Sequence, residues 1–476
     1  MQWDEFEYWG QRAVRWGANY RQTLRERPVR SQITPGDVLK SLPPSPPEEP
    51  EPMEDIFSDF ERLILPGMTH WQHPRFFAYF PANAAPASVL GEILADTMAA
   101  QCMLWQTSPA ATELERRMIE WLRDAVGLPA KFGGVIQDTA SSATLAAVLT
   151  MRERALDGKG NSRGLAGQPA LRIYASNEVH SSIDRALWFS GIGADNLVRI
   201  PTAGPMRGMI LERLRDAIAA DRAAGFLPAG IVAAVGGTST GACDDIAAVS
   251  QVAQEESLYL HVDAAWAGSA MICPEFRSLW HGAEHADSIV LNAHKWLGAQ
   301  LECSIHLLKD ENALRNTLTI TREYLGTHGQ QSARGELRNL SDLSLQLGRR
   351  FRALKVWFLL RAEGLARLRT MMRNHVRWAG EVAERLRDVP DIEIVTPPIL
   401  SLFTFRLAPQ GPPPDAIDAL NLDLLARIND TGCIYLTPTR IDDRVAIRFQ
   451  VGAIETAPED IDAAIEEIRS TAAALF

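Results

Sequence analysis

The sequence predicts an α/β fold: a large domain with a mainly parallel sheet, between an N-terminal helical arm and a small C-terminal α+β domain. Short β-branched runs alternate with helical stretches between residues 83 and 370, which is typical of a parallel sheet with helices on both faces. A proline-rich segment, residues 43–52, interrupts the helical pattern near the N-terminus. Residues 371–476 contain short predicted strands with helices between and after them.

The N-terminal arm, residues 1–82, has apolar residues at helical spacing over residues 3–27 and again over 53–65. The proline-rich segment between these two stretches is best interpreted as an extended connector. The arm cannot bury its apolar faces by itself, so we expect it to pack on a partner subunit.

The large domain, residues 83–370, contains the runs that we interpret as buried strands. The predicted strands are 171–175, 230–235, 257–263, 288–291 and 304–308, and the clearest predicted helices are 143–156 and 246–255. In the C-terminal domain, residues 371–476, the predicted strands lie near 392–396, 401–407, 433–438 and 445–450.

The composition indicates an ordinary globular protein and disfavours several functional classes. The 476 residues are 46% hydrophobic and 22% charged, and the net charge of -11 argues against a nucleic-acid-binding role. The N-terminus lacks the basic and apolar regions of a signal peptide, and no apolar run approaches the roughly 20 residues of a membrane span. The five cysteines lie far apart without a CxxC pair, as reduced thiols do. We therefore expect a cytoplasmic protein with no nucleic-acid or membrane partner.

Asp263 and Lys295 carry the most informative chemistry. Asp263 ends the predicted strand 257–263, and Lys295 follows the next strand, 288–291. Ligands of parallel sheets bind beyond the carboxyl ends of the strands. A lysine amine can form a Schiff base with the aldehyde of pyridoxal 5′-phosphate (PLP), and an aspartate can keep the pyridine nitrogen protonated. A P-loop nucleotide site is the alternative for a strand-end aspartate, but the sequence contains no GxxxxGK[ST].

Two further segments suit the same cofactor. Residues 133–142 (GGVIQDTASS) lead into the predicted helix 143–156, so Thr139 and Ser141 can bind phosphate at a helix N-terminus, although helix capping alone would also explain them. His180 follows the predicted strand 171–175 and can stack on a pyridine ring; an ordinary loop histidine is the alternative.

A zinc site and a different PLP chemistry are the competing hypotheses. Residues 281–285 (HGAEH) match the HxxEH pattern of zinc proteases, with His281 and His285 as ligands, but Gly282 weakens the helix that this pattern needs. We therefore predict no metal. An aminotransferase would use the same lysine, but it would require a 2-oxoacid and would not release CO2.

Several motifs in order resemble one family. The chain is similar to the aromatic-L-amino-acid decarboxylases, which are group II PLP-dependent decarboxylases of fold type I, from about residue 5 to the C-terminus. The matching motifs are 66–71 (PGMTHW), 76–81 (FFAYFP), 108–110 (SPA), 261–269 (HVDAAWAGS), 292–296 (NAHKW) and 347–352 (LGRRFR). The resemblance implies a large domain of the seven-stranded type and a homodimer with the active site at the subunit interface.

By this resemblance, Lys295 carries the Schiff base with PLP, Asp263 pairs with the ring nitrogen and His180 stacks on the ring. The implied cofactor-binding residues are Thr139, Ala140, Ser141, His180, Thr238, Asp263, Ala265, Asn292, His294 and Lys295. Tyr324, in residues 322–331 (REYLGTHGQQ), matches the tyrosine of the family's mobile loop, which implies that it protonates Cα after CO2 leaves. Aldehyde-forming relatives lack this tyrosine or alter the stacking histidine, so the presence of both residues favours amine formation.

The implied substrate region is apolar and aromatic, which suits L-Trp, L-Phe, L-Tyr or DOPA. Its residues are Trp71, Tyr79, Phe80, Pro81, Ala82, Gln101, Met103, Trp105 and Gly348. Ala82 replaces a hydroxyl residue, Gln101 and Met103 replace apolar and aromatic ones, and Gly348 leaves room for an indole. The predicted function is decarboxylation of an aromatic L-amino acid to the arylalkylamine and CO2. The alternatives are an aromatic aldehyde synthase and a decarboxylase of another amino-acid class.

Overall fold

The structure, a computed structural model, describes residues 1–320, 331–332 and 335–475. The chain divides into two compact units. The first, which we call the N/C unit, combines Met1–Pro81 with Val376–Phe476, and the second, the central unit, is Ala82–His375. The three-domain division drawn from the sequence stays a prediction.

The regular elements are as follows. The strands are β1 (Gly133–Gln137), β2 (Leu171–Ser176), β3 (Leu197–Ile200), β4 (Thr202–Ala203), β5 (Gly208–Met209), β6 (Leu227–Ala234), β7 (Tyr259–Asp263), β8 (Ser288–Leu291), β9 (Ser304–Leu308), β10 (Gln331–Ser332), β11 (Gly335–Glu336), β12 (Ile392–Ile399), β13 (Leu402–Leu407), β14 (Thr437–Ile441) and β15 (Arg444–Gln450). The α-helices are α1 (Trp3–Gln22), α2 (Asp37–Ser41), α3 (Met53–Asp59), α4 (Pro86–Met98), α5 (Pro109–Val126), α6 (Ala140–Ala155), α7 (Lys159–Arg163), α8 (Ser182–Phe189), α9 (Leu211–Ala223), α10 (Ile246–Glu255), α11 (Glu311–Leu318), α12 (Arg352–Arg387), α13 (Pro414–Asp430) and α14 (Pro458–Ala473).

The central unit is built on a seven-stranded sheet with the order β1-β9-β8-β7-β6-β2-β3. The pairs β8–β7, β7–β6, β6–β2 and β2–β3 are parallel, and β9 runs antiparallel between β8 and β1. Apart from the edge strand β3, these strands are almost fully buried, as near-continuous apolar runs require when both faces of a sheet are covered. The predicted α/β fold with a mainly parallel sheet is confirmed.

Helix α6 covers the middle of this sheet, against β6, β7, β8 and β9. The small side chains of Ala143 and Ala147 let the helix lie close to the strands, and Met151 joins the same buried core. Because β9 is antiparallel to both β8 and β1, the carboxyl end of β1 lies at the same edge of the sheet as that of β8. The N-terminus of α6, which follows β1, therefore starts at this edge.

The N/C unit contains a four-stranded antiparallel sheet with the order β12-β13-β15-β14. Helices α13 and α14 contribute to its apolar core, which includes Phe405, Ile428 and Ile465. Phe77 from the N-terminal segment also enters this core and stacks on Phe449 with ring centroids 4.5 Å apart. None of the helices in the described part of the chain has the length and apolar character that a bilayer span requires.

Candidate active site

Asp263 and the segment that carries Lys295 lie at the same edge of the central sheet. Asp263 is the last residue of β7, and Lys295 follows the adjacent parallel strand β8. Two backbone hydrogen bonds fasten the segments after these strands to each other: Ala264 N–H donates to the Val290 carbonyl (3.1 Å), and Asn292 N–H donates to the Ala265 carbonyl (2.8 Å). Asp263 Oδ1 accepts from the Ala265 N–H at 3.0 Å, which fixes the direction of its carboxylate.

The backbone of Lys295 is held from outside its own strand. Lys295 is half-buried in a π-type turn, Ala293–Leu297, and has the non-helical angles φ -91° and ψ -109°. Asn83 donates its side-chain Nδ2–H to the Lys295 carbonyl (2.9 Å) and its backbone N–H to the His294 carbonyl (2.9 Å). These two bonds hold the backbone around the Cα of Lys295 in place.

His294 is buried, and its ring is engaged with the backbone of a neighbouring segment. The ring Nδ1 accepts from the Cys303 N–H at 3.0 Å, and the backbone N–H of His294 donates to the Cys303 carbonyl at 3.1 Å. Burial lowers the pKa of His294 to about 4, and the positive charge of Lys295 acts in the same direction. The ring is therefore neutral at neutral pH. A direct cofactor contact of His294 stays a prediction.

His180 lies within electrostatic reach of the Asp263 and Lys295 side chains. It follows β2, is accessible at the surface of the single chain, and accepts the Ser182 N–H on Nδ1 at 3.1 Å. The pKa of His180 is lowered, first because neighbouring atoms displace water from the ring and also because of the Lys295 charge, whereas the Asp263 charge opposes this lowering. A neutral ring beside these two charged groups is suited to stacking on an aromatic heterocycle.

The predicted phosphate-binding residues surround the N-terminus of α6. Thr139 is the N-cap, and its hydroxyl oxygen accepts from the Ser142 N–H at 3.4 Å. Ser141 is exposed in the first turn, where helix N–H groups lack intrahelical acceptors and attract anions. Ala140 is buried in a small apolar cluster against which Ala265 packs. The helix N-terminus is therefore next to the segment that follows Asp263.

The amide of Asn292 supports a polar ligand at this edge. Asn292 is buried, and its Oδ1 has no hydrogen-bond partner within the described residues. A buried amide oxygen without a partner is costly, so a group from outside the described chain, such as the phosphate of a cofactor or a water molecule, is needed to satisfy it. Together with the N-terminus of α6, this unsatisfied amide fits a phosphate-bearing cofactor.

Thr238 lies in the turn after β6, next to the strand that carries Asp263. Val235 N–H donates to the Asp263 carbonyl (3.0 Å), and the N–H groups of Gly236 and Gly237 both donate to the Ala242 carbonyl. Thr238 itself is half-buried. The structure thus brings the elements after β1, β2, β6, β7 and β8 to one edge of the sheet, as the predicted cofactor site requires.

The predicted substrate residues fall into both units. Trp71, Tyr79, Phe80 and Pro81 belong to the N/C unit. Trp71 and Tyr79 are exposed and stack with ring centroids 5.7 Å apart, whereas Phe80 and Pro81 are buried.

Ala82 and the remaining substrate residues belong to the central unit. Gln101 and Gly348 line a cavity of about 340 Å³, and a Cβ atom on Gly348 would lie 3.3 Å from Gln101 Nε2. None of the predicted cofactor-binding residues is among the described residues that line this cavity. The Met103 carbonyl accepts from Ser341 N–H (3.0 Å), and Trp105 N–H donates to Asn339 Oδ1 (3.2 Å).

Two other predicted features have different outcomes. His281 and Gly282 form a turn, with φ +93° at Gly282, and a short 3-10 helix, Ala283–His285, follows. His281 and His285 therefore do not share one α-helical face. Among the described residues, no group of His, Cys, Asp or Glu side chains could hold a metal ion. Tyr324 lies outside the described residues, and its role stays a prediction.

The site also contains residues that sequence reasoning missed. Asn83 holds the backbone of Lys295, and Cys303 holds the ring of His294, but neither residue belongs to a motif of cofactor chemistry. Asn83 follows the 76–81 motif closely, and this proximity is its only sequence signal.

Comparison with known proteins identifies the family. Residues 35–408 match the model of the pyridoxal-dependent decarboxylase conserved domain. Tryptophan decarboxylase 2 from Oryza sativa subsp. japonica is 37% identical over 470 residues, covering 97% of this chain and 93% of that protein. Phenylacetaldehyde synthase from Arabidopsis thaliana is 36% identical over 484 residues, covering 100% of this chain and 97% of that protein.

A solved structure supports the same assignment over the whole chain. The crystal structure of Oryza sativa TDC with PLP and tryptamine matches with a TM-score of 0.95 and 34% sequence identity, covering 100% of this chain and 99% of that one. The chain therefore belongs to the pyridoxal-dependent decarboxylase family.

Proposed function

We propose that this protein decarboxylates aromatic L-amino acids, such as L-Trp, L-Phe, L-Tyr or DOPA, to the corresponding arylalkylamines and CO2. The observation that carries the proposal is the placement of Asp263 and the Lys295 segment at the ends of adjacent parallel strands, beside the N-terminus of α6. The tryptophan decarboxylase and the phenylacetaldehyde synthase among its relatives support an aromatic substrate.

Bound PLP withdraws electrons from the Cα of an amino acid and so weakens the bonds at that atom. In this chain Lys295 would hold the aldehyde covalently, and Asp263 would keep the pyridine nitrogen protonated. His180 would stack on the ring. The phosphate would lie against the N-terminus of α6, and the residues that would hold it are Thr139, Ala140, Ser141 and Asn292. Thr238, Ala265 and His294 would complete the site around the ring.

The chain's own side chains select which bond breaks. The substrate site must direct the carboxylate, not the α-hydrogen, perpendicular to the plane of the cofactor ring. A decarboxylase also gains by leaving the departing carboxylate weakly bound, because a strong ion pair would stabilise the ground state more than the transition state. Tyr324 would then donate its phenolic proton to Cα, since a tyrosine with an ordinary pKa near 10 is protonated at neutral pH.

We also propose a cytoplasmic homodimer with the active site at the interface. In the central unit, α4 exposes an apolar surface whose side chains are 38% to 56% accessible: Val89, Leu90, Ile93, Leu94 and Met98. A contiguous exposed apolar patch of this kind is typical of an interaction surface. Ala95 and Asp96 of the same helix line the cavity that contains Gln101 and Gly348. A partner subunit that covers α4 would therefore lie beside this cavity, and the cavity would face the partner's active site.

The experiment is a substrate panel. The PLP-loaded enzyme is incubated with L-Trp, L-Phe, L-Tyr, DOPA, L-Glu and L-Lys, and CO2 and amine are measured for each. We expect equal amounts of CO2 and amine from the aromatic substrates. The Lys295→Ala variant, which keeps the rest of the site, should lose the visible absorbance of the bound cofactor and the activity together. Activity confined to L-Glu or L-Lys would contradict the aromatic substrate class.

An aromatic aldehyde synthase is the second candidate, because a phenylacetaldehyde synthase is 36% identical along the full chain. The two activities differ in their products, since an aldehyde synthase consumes O2 and yields aldehyde, ammonia and hydrogen peroxide in place of the amine. Tyr324 and His180, both present in this chain, favour the amine. Aldehyde as the main product would overturn the decarboxylase proposal in favour of this one.

A further inference from the structure

A buried arginine in the four-stranded sheet of the N/C unit supports the predicted substrate segment. Arg448 on β15 is 4% exposed, and burial lowers its pKa to about 10, so it remains protonated at neutral pH. Its Nη1 donates to Thr437 Oγ1 (3.0 Å), and its Nη2 donates to the Tyr79 carbonyl (3.3 Å). The guanidinium carbon lies 5.2 Å from the centroid of the Phe80 ring, within cation–π range.

The other buried arginine of this sheet is arranged differently. Arg406 on β13 pairs with the carboxylate of Asp418 at 3.5 Å. Among the described residues, no carboxylate forms an ion pair with Arg448, and its Nε–H has no acceptor. A buried cation is normally retained with a counterion. The hydrogen bonds of Arg448 go instead to a hydroxyl group and to the backbone of the segment 79–80.

The backbone of Tyr79 needs such support. Tyr79 has φ +41°, in the left-handed region that a residue with a side chain adopts only when its surroundings enforce it. The segment before it is fixed by the sheet, because Phe77 N–H donates to the Tyr435 carbonyl and Gln450 N–H donates to the Phe77 carbonyl, both at 3.1 Å. Arg448 adds the next contact along the chain, at the strained residue itself.

This backbone conformation determines where the Tyr79 ring points. The ring is 47% exposed, stacks on Trp71 at 5.7 Å and lies edge-on to Tyr435 at 6.1 Å. Burial and a hydrogen bond with the Tyr79 phenol raise the pKa of Tyr435 to about 12, so the Tyr435 phenol is neutral where it meets Tyr79. Backbone and ring contacts thus fix an aromatic surface that extends into an accessible region.

We propose that Arg448 is a positioning residue for the substrate: it holds Tyr79 and Phe80 in the orientation that receives the aromatic side chain. The inference rests on the proposed function, in which these two residues line the substrate site. Arg448 acts through the Tyr79 carbonyl and the Phe80 ring and takes no part in the chemistry at Cα. Its loss should therefore weaken substrate binding more than it slows turnover.

The test compares Arg448→Met with Arg448→Lys, Thr437→Val and the control Arg406→Met. For each PLP-loaded variant, kcat and KM for CO2 release from L-Trp and L-Phe are measured, together with the visible absorbance of the cofactor and the unfolding temperature. Arg448→Met should raise KM about tenfold or more, with kcat changed less than about threefold. Arg448→Lys should raise KM less than Arg448→Met does, since lysine keeps the positive charge but lacks the planar guanidinium group.

The controls separate positioning from general damage to the fold. Arg406→Met removes a buried arginine from the same sheet and should lower the unfolding temperature without changing KM. An unchanged KM in Arg448→Met, or an equal rise in Arg406→Met, would overturn the role of Arg448. If Arg448→Met does not fold, Thr437→Val decides: a raised KM supports the role, and a wild-type KM overturns it. A wild-type enzyme that releases no CO2 from any aromatic amino acid would instead overturn the proposed function itself.

Discussion

The turn after β6 contains a glycine that no other residue can replace without moving the neighbourhood of Asp263. Gly236 has φ +83°, and a Cβ atom there would lie 2.4 Å from the Ala267 Cβ and 2.9 Å from an indole carbon of Trp266. The preceding residue, Val235, donates its N–H to the Asp263 carbonyl at 3.0 Å. A shift of this turn would therefore displace Asp263, the residue that we expect to pair with the pyridine nitrogen.

The cost of Gly236→Ala has two parts. A side chain in the left-handed region costs about 1 kcal/mol. Two carbon atoms cannot remain 2.4 Å apart, and relieving such a contact in a packed interior costs about 1 to 3 kcal/mol more. The sum is about 2 to 4 kcal/mol. Gly158 is the matched control, because it has φ +73° but open space where the Cβ atom of an alanine would lie, so Gly158→Ala should cost only about 1 kcal/mol.

Both variants are unfolded in guanidinium chloride and titrated with PLP. Gly236→Ala should have the lower unfolding midpoint of the two, and it should bind PLP more weakly, whereas Gly158→Ala should bind PLP as the wild type does. Equal midpoints for the two variants would refute the close-contact argument. Weakened stability with unchanged PLP affinity would refute the link between this turn and Asp263.

Three further perturbations probe the proposed chemistry, the substrate pocket and the buried core. Tyr324→Phe should lower the yield of amine and raise those of aldehyde and peroxide; an unchanged product ratio would count against the proton-donor role. Gly348→Ser places a side chain about 3.3 Å from Gln101 Nε2, so kcat/KM for L-Trp should fall about tenfold relative to that for L-Phe, and a constant ratio would contradict the pocket assignment. His306 is fully buried with a pKa lowered by burial to about 3, so the unfolded chain binds the extra proton below its ordinary pKa of about 6.5. The free energy of unfolding should therefore fall as the pH drops from about 6.5 towards 3, by at most about 1.4 kcal/mol per pH unit from this residue, and His306→Leu should remove that part of the slope measured by urea unfolding.

The parts of the fold that the sequence predicts well are those with a strong local pattern. The predicted strands 288–291 and 304–308 and the predicted helix 246–255 coincide with β8, β9 and α10. Asp263 and Lys295 could be placed on one edge because parallel strands present their carboxyl ends together. The arrangement of β7 and β8 confirms that reasoning for the two strands.

Elements that depend on distant contacts cannot be predicted in the same way. Residues 133–142 are predicted only as a segment that leads into the helix 143–156. Residues 133–137 instead form β1, which pairs with β9 from far along the chain, and α6 begins at Ala140 instead of residue 143. The pair of glycines at the start of β1 hides its strand character, since glycine has a low strand propensity. The pairing with β9, which comes from a distant part of the chain, is what makes this segment a strand.

The neighbourhood of Lys295 shows how contacts between distant segments complete a site. His294, for which the resemblance implies a cofactor contact, accepts the Cys303 N–H on one of its two ring nitrogens. Asn83, with no catalytic motif around it, holds the carbonyl groups of both His294 and Lys295. A lysine that must form and release a covalent bond needs a mobile side chain on a fixed Cα, because a shift of the backbone by about 1 Å would misalign the amine. The residues that fix this Cα are recruited by the fold from separate segments, so their role follows from hydrogen bonds and not from any spacing in the sequence.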